Sequence, residues 1–286
     1  MQQDYNKKIS KIQYNLLNLP ATLQFTNGNR KDYIYSADGK KLKVVHRTAI
    51  ANISVPMGQI KELAANQVSQ THTVDYCGNV IYENGSLSKV LTEEGYATLG
   101  GTTPTFYYYL KDHQGNNRMV VRLNGTLWNT EQVNHYYPFG GVFEVNTGAS
   151  GKQSYKYNGK ELDRMHGLDW YDYGARMYDA ALGRWHAVDP MSEKYYGVSP
   201  YLYCANNPIL LVDSNGMWPT WRGIRNGLNN ALNTTLSFAN GAVRAVTDNI
   251  LLGSTSLRET GIYSSAGAYN VGQDVGDVIS LFIGGA

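Results

Sequence analysis

The sequence predicts a mainly β fold, and three features of its composition predict it. Tyrosine outnumbers phenylalanine 23 to 6, and Tyr suits a half-buried strand, because its ring packs while its hydroxyl reaches water or a backbone partner. Thirty glycines, many in Asp-Gly and Asn-Gly pairs, supply residues tolerant of positive φ where tight turns need them. Charged residues make up only 17% of the chain. A Tyr-rich, Gly-rich, lightly charged chain reads as extended β-structure with much wet surface.

The bulk properties bound the function as well. A chain of 286 residues holds one large or two ordinary domains and buries a sizeable core. Its net charge of +2 is too small for a strong field, so charge alone predicts neither nucleic-acid nor membrane binding. Two distant cysteines, Cys77 and Cys204, exclude a disulfide framework and lack zinc-site spacing. Both read as buried or half-buried thiols. The opening MQQDYNKKISKIQYNLLNLP has no apolar core between its charges and is not a signal peptide. It begins as though in mid-domain, so the expectation is the C-terminal piece of a longer protein, secreted or displayed on a cell surface.

Along residues 1–151 short stretches alternate with turn signals. Tyr33–Val45, Val74–Leu91 and Phe106–Gly125 each read as strand, Asp/Asn/Gly turn, strand, the local form of a hairpin. The turns fall at Asp38-Gly39, Asn84-Gly85 and Gln114-Gly115-Asn116. A recurring Tyr-x-Tyr with Asp-Gly suggests a repeat architecture, although an ordinary β-sandwich has hairpins too. Residues 152–217 are denser in Tyr, Gly and Asn-Pro turns. They include Trp170-Tyr-Asp-Tyr-Gly-Ala-Arg-Met-Tyr-Asp179 and Gly183-Arg-Trp185. Residues 218–286 lose the tyrosines, and small and apolar residues at helix-compatible intervals over 222–247 and 270–283 predict a short helical extension.

Several of these stretches carry a likeness. Tyr35-Ser-Ala-Asp-Gly-Lys-Lys-Leu42 looks like a YD repeat. Tyr109-Leu-Lys-Asp-His-Gln-Gly-Asn-Asn-Arg118 is similar to the turn in the last repeats before the core of Rhs (rearrangement hotspot) proteins. Tyr136-Tyr-Pro-Phe-Gly140 resembles the bridging motif that follows. The run Tyr155–Met217 resembles the Rhs core domain itself. The resemblance covers roughly residues 1–217. It implies a YD-repeat spiral sheet, part of a shell, that ends in a core plug and encloses a C-terminal passenger.

Two carboxylates stand out. Asp189 lies in Trp185-His-Ala-Val-Asp-Pro190 and Asp213 in Leu211-Val-Asp-Ser-Asn-Gly-Met217. A strand over 199–208 ending in an Asn-Asn-Pro turn is expected to bring Asp213 back alongside Asp189. Two carboxylates held close cannot both ionise freely, so one keeps a proton and the pair divides base and acid roles around a water. That is the chemistry of an aspartic peptidase. In Rhs proteins of this pattern such a pair makes an intramolecular cut that frees a C-terminal toxin. Carried over, the resemblance implies Asp189 and Asp213 as catalytic residues and a cut between Met217 and Trp218. Arg184 is the expected guanidinium partner.

The chain departs from that pattern in three places. Met-Ser-Glu-Lys-Tyr-Tyr follows Asp189-Pro190 where the family has a Gly-Leu-x-Gly-Gly loop, Ser214 follows Asp213 in place of Pro, and Met217 replaces Leu. Read without the resemblance, both aspartates are simply good turn starters.

Other candidates read as structural. His113 and His135 lack partners at metal spacing and are turn or strand-surface residues. His166 and His186 are packing or hydrogen-bonding residues. Asp163, Asp169, Asp172 and Asp179 show no calcium-loop pattern and read as solvated strand ends. Gly267, Gly272 and Gly276 beside Val278–Ile283 form a small-residue stripe, but Asp274 and Asp277 interrupt it, and the apolar run is too short to span a membrane. No cofactor, metal or toxin active site is expected.

The function expected from these readings is the C-terminal part of a polymorphic-toxin carrier. Its partners would be its own passenger, an immunity protein and secretion machinery. A non-cleaving surface, adhesive or carbohydrate-binding repeat protein stays open as the alternative, and a remnant gene product as a third.

Overall fold

The computed structural model describes residues 1–99, 104–124, 127–143 and 153–217. Eleven strands follow one another as a single antiparallel meander, each paired with the next. They are β1 (Ile9–Tyr14), β2 (Pro20–Phe25), β3 (Arg30–Tyr35), β4 (Lys41–Ala49), β5 (Val68–Cys77), β6 (Val80–Glu83), β7 (Ser86–Thr92), β8 (Gly95–Thr98), β9 (Thr105–Lys111), β10 (Asn117–Asn124) and β11 (Leu127–Val133). The hairpins expected over Tyr33–Val45 and Phe106–Gly125 are β3–β4 and β9–β10. The stretch Val74–Leu91 holds three strands, not two, because Gly78 and the Asn84-Gly85 pair each close a turn. Asn84 and Gly85 sit at φ 52° and 79°, the left-handed pair that matches strand twist in a two-residue hairpin.

A second layer follows. β12 (His135–Tyr136) and β13 (Val142–Phe143) form a small hairpin. β14 (Glu161–Asp163), β15 (Trp170–Asp172), β16 (Met177–Asp179) and β17 (Arg184–Trp185) form a four-stranded antiparallel sheet. These strands run two or three residues each, since the Gly and Asp/Asn punctuation between them leaves no room for more. The outcome is mainly β, and no α-helix occurs among the described residues. The sheet does not close on itself: β1 and β11 are its two ends. The helical extension expected over 218–286 lies outside the described residues.

The small sheet buries large side chains on both faces, and the period of two along a strand explains how. Trp170 and Met177 point one way, into a cluster with Ile9, Ile12, Leu23, Phe25, Tyr33 and Val44 of β1–β4. Their neighbours Tyr171 and Tyr178 point the other way, into Tyr157, Leu162, Tyr173, Trp185, Tyr203 and Cys204. Fully burying one such large side chain contributes about 1.5–3 kcal/mol, so the first cluster joins the two layers and the second anchors the small sheet to the segments around it.

The same alternation places Glu161, Asp163, Asp172 and Asp179 on the side that faces the large sheet. There Lys31 Nζ reaches Asp163 at 2.6 Å, and Lys41 Nζ reaches Glu161 at 2.7 Å and Asp172 at 2.6 Å. Lys7 Nζ stands 3.3 Å from Asp179. The expectation that these aspartates are solvated strand ends is therefore corrected for three of the four, and only Asp169 is exposed. Their lysines lie more than a hundred residues earlier, a pairing no local pattern announces.

Candidate functional site

After β17 the chain turns irregular. No strand forms over 199–208. One bridge links Arg184 to Leu202, and backbone bonds run from Trp185 N–H to Tyr201 O and from Asp189 N–H to Pro200 O. Left-handed conformations at Cys204, Ala205 and Asn206 break the extended backbone the sequence was expected to adopt. The return nevertheless occurs, through turns, and it brings Asp213 to the same place as Asp189.

That place is the guanidinium of Arg176, at the entry to β16. Asp189 Oδ2 lies 2.8 Å from Arg176 Nη2, and Asp213 Oδ2 lies 3.6 Å from the same nitrogen. All three side chains are at most 5% exposed. Arg176 spends its remaining donors on main chain: Nη1 bonds Pro200 O at 3.1 Å and Nε bonds Gly216 O. Its face rests 4.2 Å above the Trp185 ring, a cation–π contact available to a planar guanidinium.

Each aspartate divides its two oxygens. Asp189 Oδ1 accepts the Met191 N–H at 2.8 Å, and Asp213 Oδ1 accepts the N–H groups of Asn215 at 3.2 Å and Gly216 at 2.8 Å. These are the Asx turns the bare sequence suggests, and they leave both Oδ2 atoms to face Arg176. The turn at Gly216 needs glycine. Its φ is 76°, and a Cβ there would meet Arg176 N at 3.0 Å and Tyr173 Cβ at 3.1 Å.

The charge count is uneven, with two carboxylates around one cation. Burial pushes Asp213 up to about 6, and the negative charge of Asp189 adds to it, against the pull of the backbone donors and Arg176. At mildly acidic pH this carboxyl keeps its proton. Asp189 and Met217 also line a cleft of about 810 Å³, together with Leu16, Leu17, Leu42 and Val188, which gives Asp189 an open side.

Arg184 does not reach the carboxylates: its Nη1 bonds Gly183 O and Asn206 Oδ1, both at 2.9 Å. The guanidinium partner is Arg176, which the sequence reading passed over. The missed signal is an arginine between Ala175 and Met177 in an apolar stretch, since a buried Arg must find anions or carbonyls. The remaining candidates are structural in their contacts. His166 packs against Phe25 at 5.6 Å, His186 lies 3.9 Å from Trp170, and His135 stacks on Phe143 at 5.5 Å. Cys204 is buried, its thiol pushed up to about 12 by burial. Cys77 is exposed, against the expectation of a half-buried thiol. Among the described residues no group of three or more His, Cys, Asp or Glu could hold a metal ion. No helix among them is long and apolar enough to cross a membrane.

No protein-family model matches the chain. Part of it is similar in sequence to Toxin subunit YenC2 of Yersinia entomophaga, 38% identical over 90 residues, 30% of this chain and 9% of that protein. Another likeness is to Salivary gland surface protein 1 of Aedes aegypti, 33% identical over 112 residues, 39% of this chain and 3% of that protein. Among solved structures, the fold matches part of a TcdB2–TccC3 crystal structure with a TM-score of 0.54 at 20% identity, covering 72% of this chain and 10% of that one. It also matches part of the Photorhabdus luminescens Tc holotoxin pore carrying a TccC3 variant, with a TM-score of 0.55 at 21% identity, covering 74% and 10%. The chain thus has the β fold of one portion of these toxin complexes and a sequence relation to a toxin subunit. It spans a tenth or less of the length of each of these relatives.

Proposed function

We propose that this chain is the C-terminal portion of an Rhs-type toxin carrier, whose β-sheet helps enclose a C-terminal passenger and whose aspartate pair releases it by cutting between Met217 and Trp218. The observation that carries the reading is the meeting of Asp189 and Asp213 on one buried guanidinium, with the Asp213 turn leading directly into Met217. The likeness to a toxin subunit and to toxin-complex structures supports the carrier role.

The cut is a hydrolysis. Asp189, the carboxylate bonded to Arg176, takes a proton from a water entering through the cleft, and that oxygen attacks the Met217 carbonyl carbon. Asp213 gives its proton to the carbonyl oxygen. The resulting gem-diol collapses, the C–N bond breaks, the proton held by Asp189 passes to the Trp218 nitrogen, and a diol proton returns to Asp213. The products are a Met217 carboxyl and a new amino terminus at Trp218. The passenger, a secretion route and an immunity protein belong to this reading as its expected partners, and the site of action would be outside the producing cell.

The test is a denaturing gel and amino-terminal sequencing of the purified chain. A fragment beginning at Trp218 is expected, lost in Asp189→Asn and in Asp213→Asn with the fold kept. An intact wild-type chain, or a cut that persists in both variants, sinks the reading. Because Asp213 must carry its proton, cleavage is expected to fall about tenfold per pH unit as pH rises above about 6.

A second reading has its own support. Phe106, Tyr108 and Leu110 of β9 and Trp128 of β11 are exposed, with Trp128 5.6 Å from Tyr108. The likeness to a salivary surface protein agrees with a non-cleaving adhesive role that uses such aromatics on carbohydrate. An intact chain that binds immobilised glycans, and loses binding in Trp128→Ala, would favour it.

A further inference from the structure

We infer that His46 and His166 form an acid-sensitive latch between the two layers: when they take up protons, the small sheet parts from β2–β4 of the large one. The latch does not depend on self-cleavage.

The two histidines meet across the junction. His46 belongs to β4, and His166 stands in the turn between β14 and β15, its ring edge-on to His46 with centroids 6.3 Å apart. His166 also packs against Phe25 of β2. A hydrogen bond of 3.0 Å joins its Nδ1 to Asn29 Nδ2, in the turn between β2 and β3. The far end of that amide fixes the tautomer. Asn29 Oδ1 accepts the Ala49 N–H at 2.9 Å, so the Asn29 nitrogen donates and His166 Nδ1 accepts. A proton on Nδ1 sets two donors against each other and breaks this tie to the large sheet. His46 Nδ1 and His166 Nε2 are buried with no hydrogen-bond partner among the described residues, so charge placed on either ring is poorly received.

The surrounding carboxylates already have cations. Asp163 acts on both rings, but its Oδ1 accepts Lys31 Nζ at 2.6 Å and Met165 N–H at 3.1 Å, and its Oδ2 accepts the Tyr33 hydroxyl at 3.1 Å. An imidazolium must compete with those donors, beside the charge of Lys31. His72 of β5 stands opposite His46, with ring centroids 5.8 Å apart. A cavity of about 310 Å³ beside His46 gives water a route to the ring. Around that cavity Lys89 lies 3.3 Å from Glu83, Arg164 reaches Asp169 at 3.1 Å, and Lys156 bonds Asn134 Oδ1 at 2.9 Å. Glu161 shares Lys41 with Asp172 and also accepts the Tyr76 hydroxyl.

Burial, with the charge of Lys31 beside it, holds both groups down from 6.5 to about 4. Once the layers part, each ring is solvated and titrates near its ordinary value. The parted state therefore binds protons first as pH falls. Stability of the junction is full above about pH 6.5 and declines toward pH 4, where the rings charge in place. Between pH 7 and pH 4 each histidine raises the opening equilibrium on the order of 100-fold. The ion pairs between the layers survive this window, because Lys31 and Lys41 hold Asp163 and Asp172 below 3.8 against the effect of burial. The histidines are thus the groups that respond.

Peptide-resolved hydrogen exchange of the full chain, normalised to the intrinsic rate at each pH, reads the parting directly. Peptides from β2–β4 and from residues 161–172 are expected to lose protection together between pH 7 and pH 4, while those from β9–β11 keep theirs. His166→Gln retains an acceptor for Asn29 but takes no proton, and His46→Gln likewise stays neutral. Each should remove a factor on the order of 100 from the acid effect. No loss in the wild type, equal loss in every peptide, or variants as acid-labile as the wild type would overturn the latch. If the variants do not fold, carbon-13 NMR titration of the wild-type rings decides. Midpoints near 4 for both histidines are expected, and midpoints at the ordinary value of a solvated imidazole overturn it.

Discussion

Two clusters in this protein have the same stoichiometry, two carboxylates on one cation, and opposite consequences. Lys41 Nζ sits 2.7 Å from Glu161 and 2.6 Å from Asp172, with the Tyr76 hydroxyl donating to Glu161 at 2.9 Å. Burial alone would raise Asp172, but the charge and hydrogen bond of Lys41 more than reverse it, and the group is held below its ordinary value. Arg176 stands 2.8 Å from one carboxylate and 3.6 Å from the other, and spends its other donors on main-chain oxygens. Burial then wins at Asp213. A cation given wholly to its carboxylates makes a clamp. A cation shared with backbone leaves one acid with a proton to give.

The comparison breaks most visibly at the clamp. Lys41→Met leaves Glu161 and Asp172 facing each other half-buried, and stability is expected to fall by about 3–5 kcal/mol. Thermal unfolding should show this as a melting point lower by roughly 10 °C. A change below about 1 kcal/mol would mean that the pair is solvated and the layers are held by apolar contacts alone.

At the other cluster the effect is a pH dependence. Asp213 has a folded-state pKa raised from 3.8 to about 6. The stability its proton supplies is therefore fully present below the unfolded value and is lost as pH rises through about 6. That gap of about two pH units corresponds to about 3 kcal/mol. Urea unfolding of wild type and Asp213→Asn at pH 4 and pH 8 should show the wild type losing about that much more on the alkaline side. Parallel pH profiles would show that Asp213 titrates like an ordinary surface carboxylate.

The smallest test sharpens the clamp without breaking it. Tyr76→Phe removes one hydroxyl donor to a charged acceptor and is expected to cost about 1.5 kcal/mol. Lys41 still neutralises Glu161 in that variant, so a loss approaching that of Lys41→Met would assign the clamp to the tyrosine.

The large sheet was legible residue by residue where the signal was local. Asp38-Gly39, Asn84-Gly85 and Gly115 marked turns that the structure contains, because positive φ restricts which residues can stand there. The return of Asp213 toward Asp189 was expected through a strand and occurs through turns, since Cys204, Ala205 and Asn206 leave the extended region. The choice of Arg184 over Arg176 failed for a different reason. Chain proximity favoured Arg184, but at β17 its side chain leans toward Asn206, while Arg176 enters β16 beneath both carboxylates.

By itself the sequence determined the mainly β character, the positions of the tight turns and the two aspartates worth watching, because each depends on the conformational limits or chemistry of a few adjacent residues. Tertiary structure alone decided which cation meets which carboxylate. Lys7, Lys31 and Lys41 find their partners more than a hundred positions away, and Arg176 meets its carboxylates only where the segment after β17 folds back over it. Burial then sets the protonation of Asp213, and burial is a property of the whole packed molecule rather than of any segment.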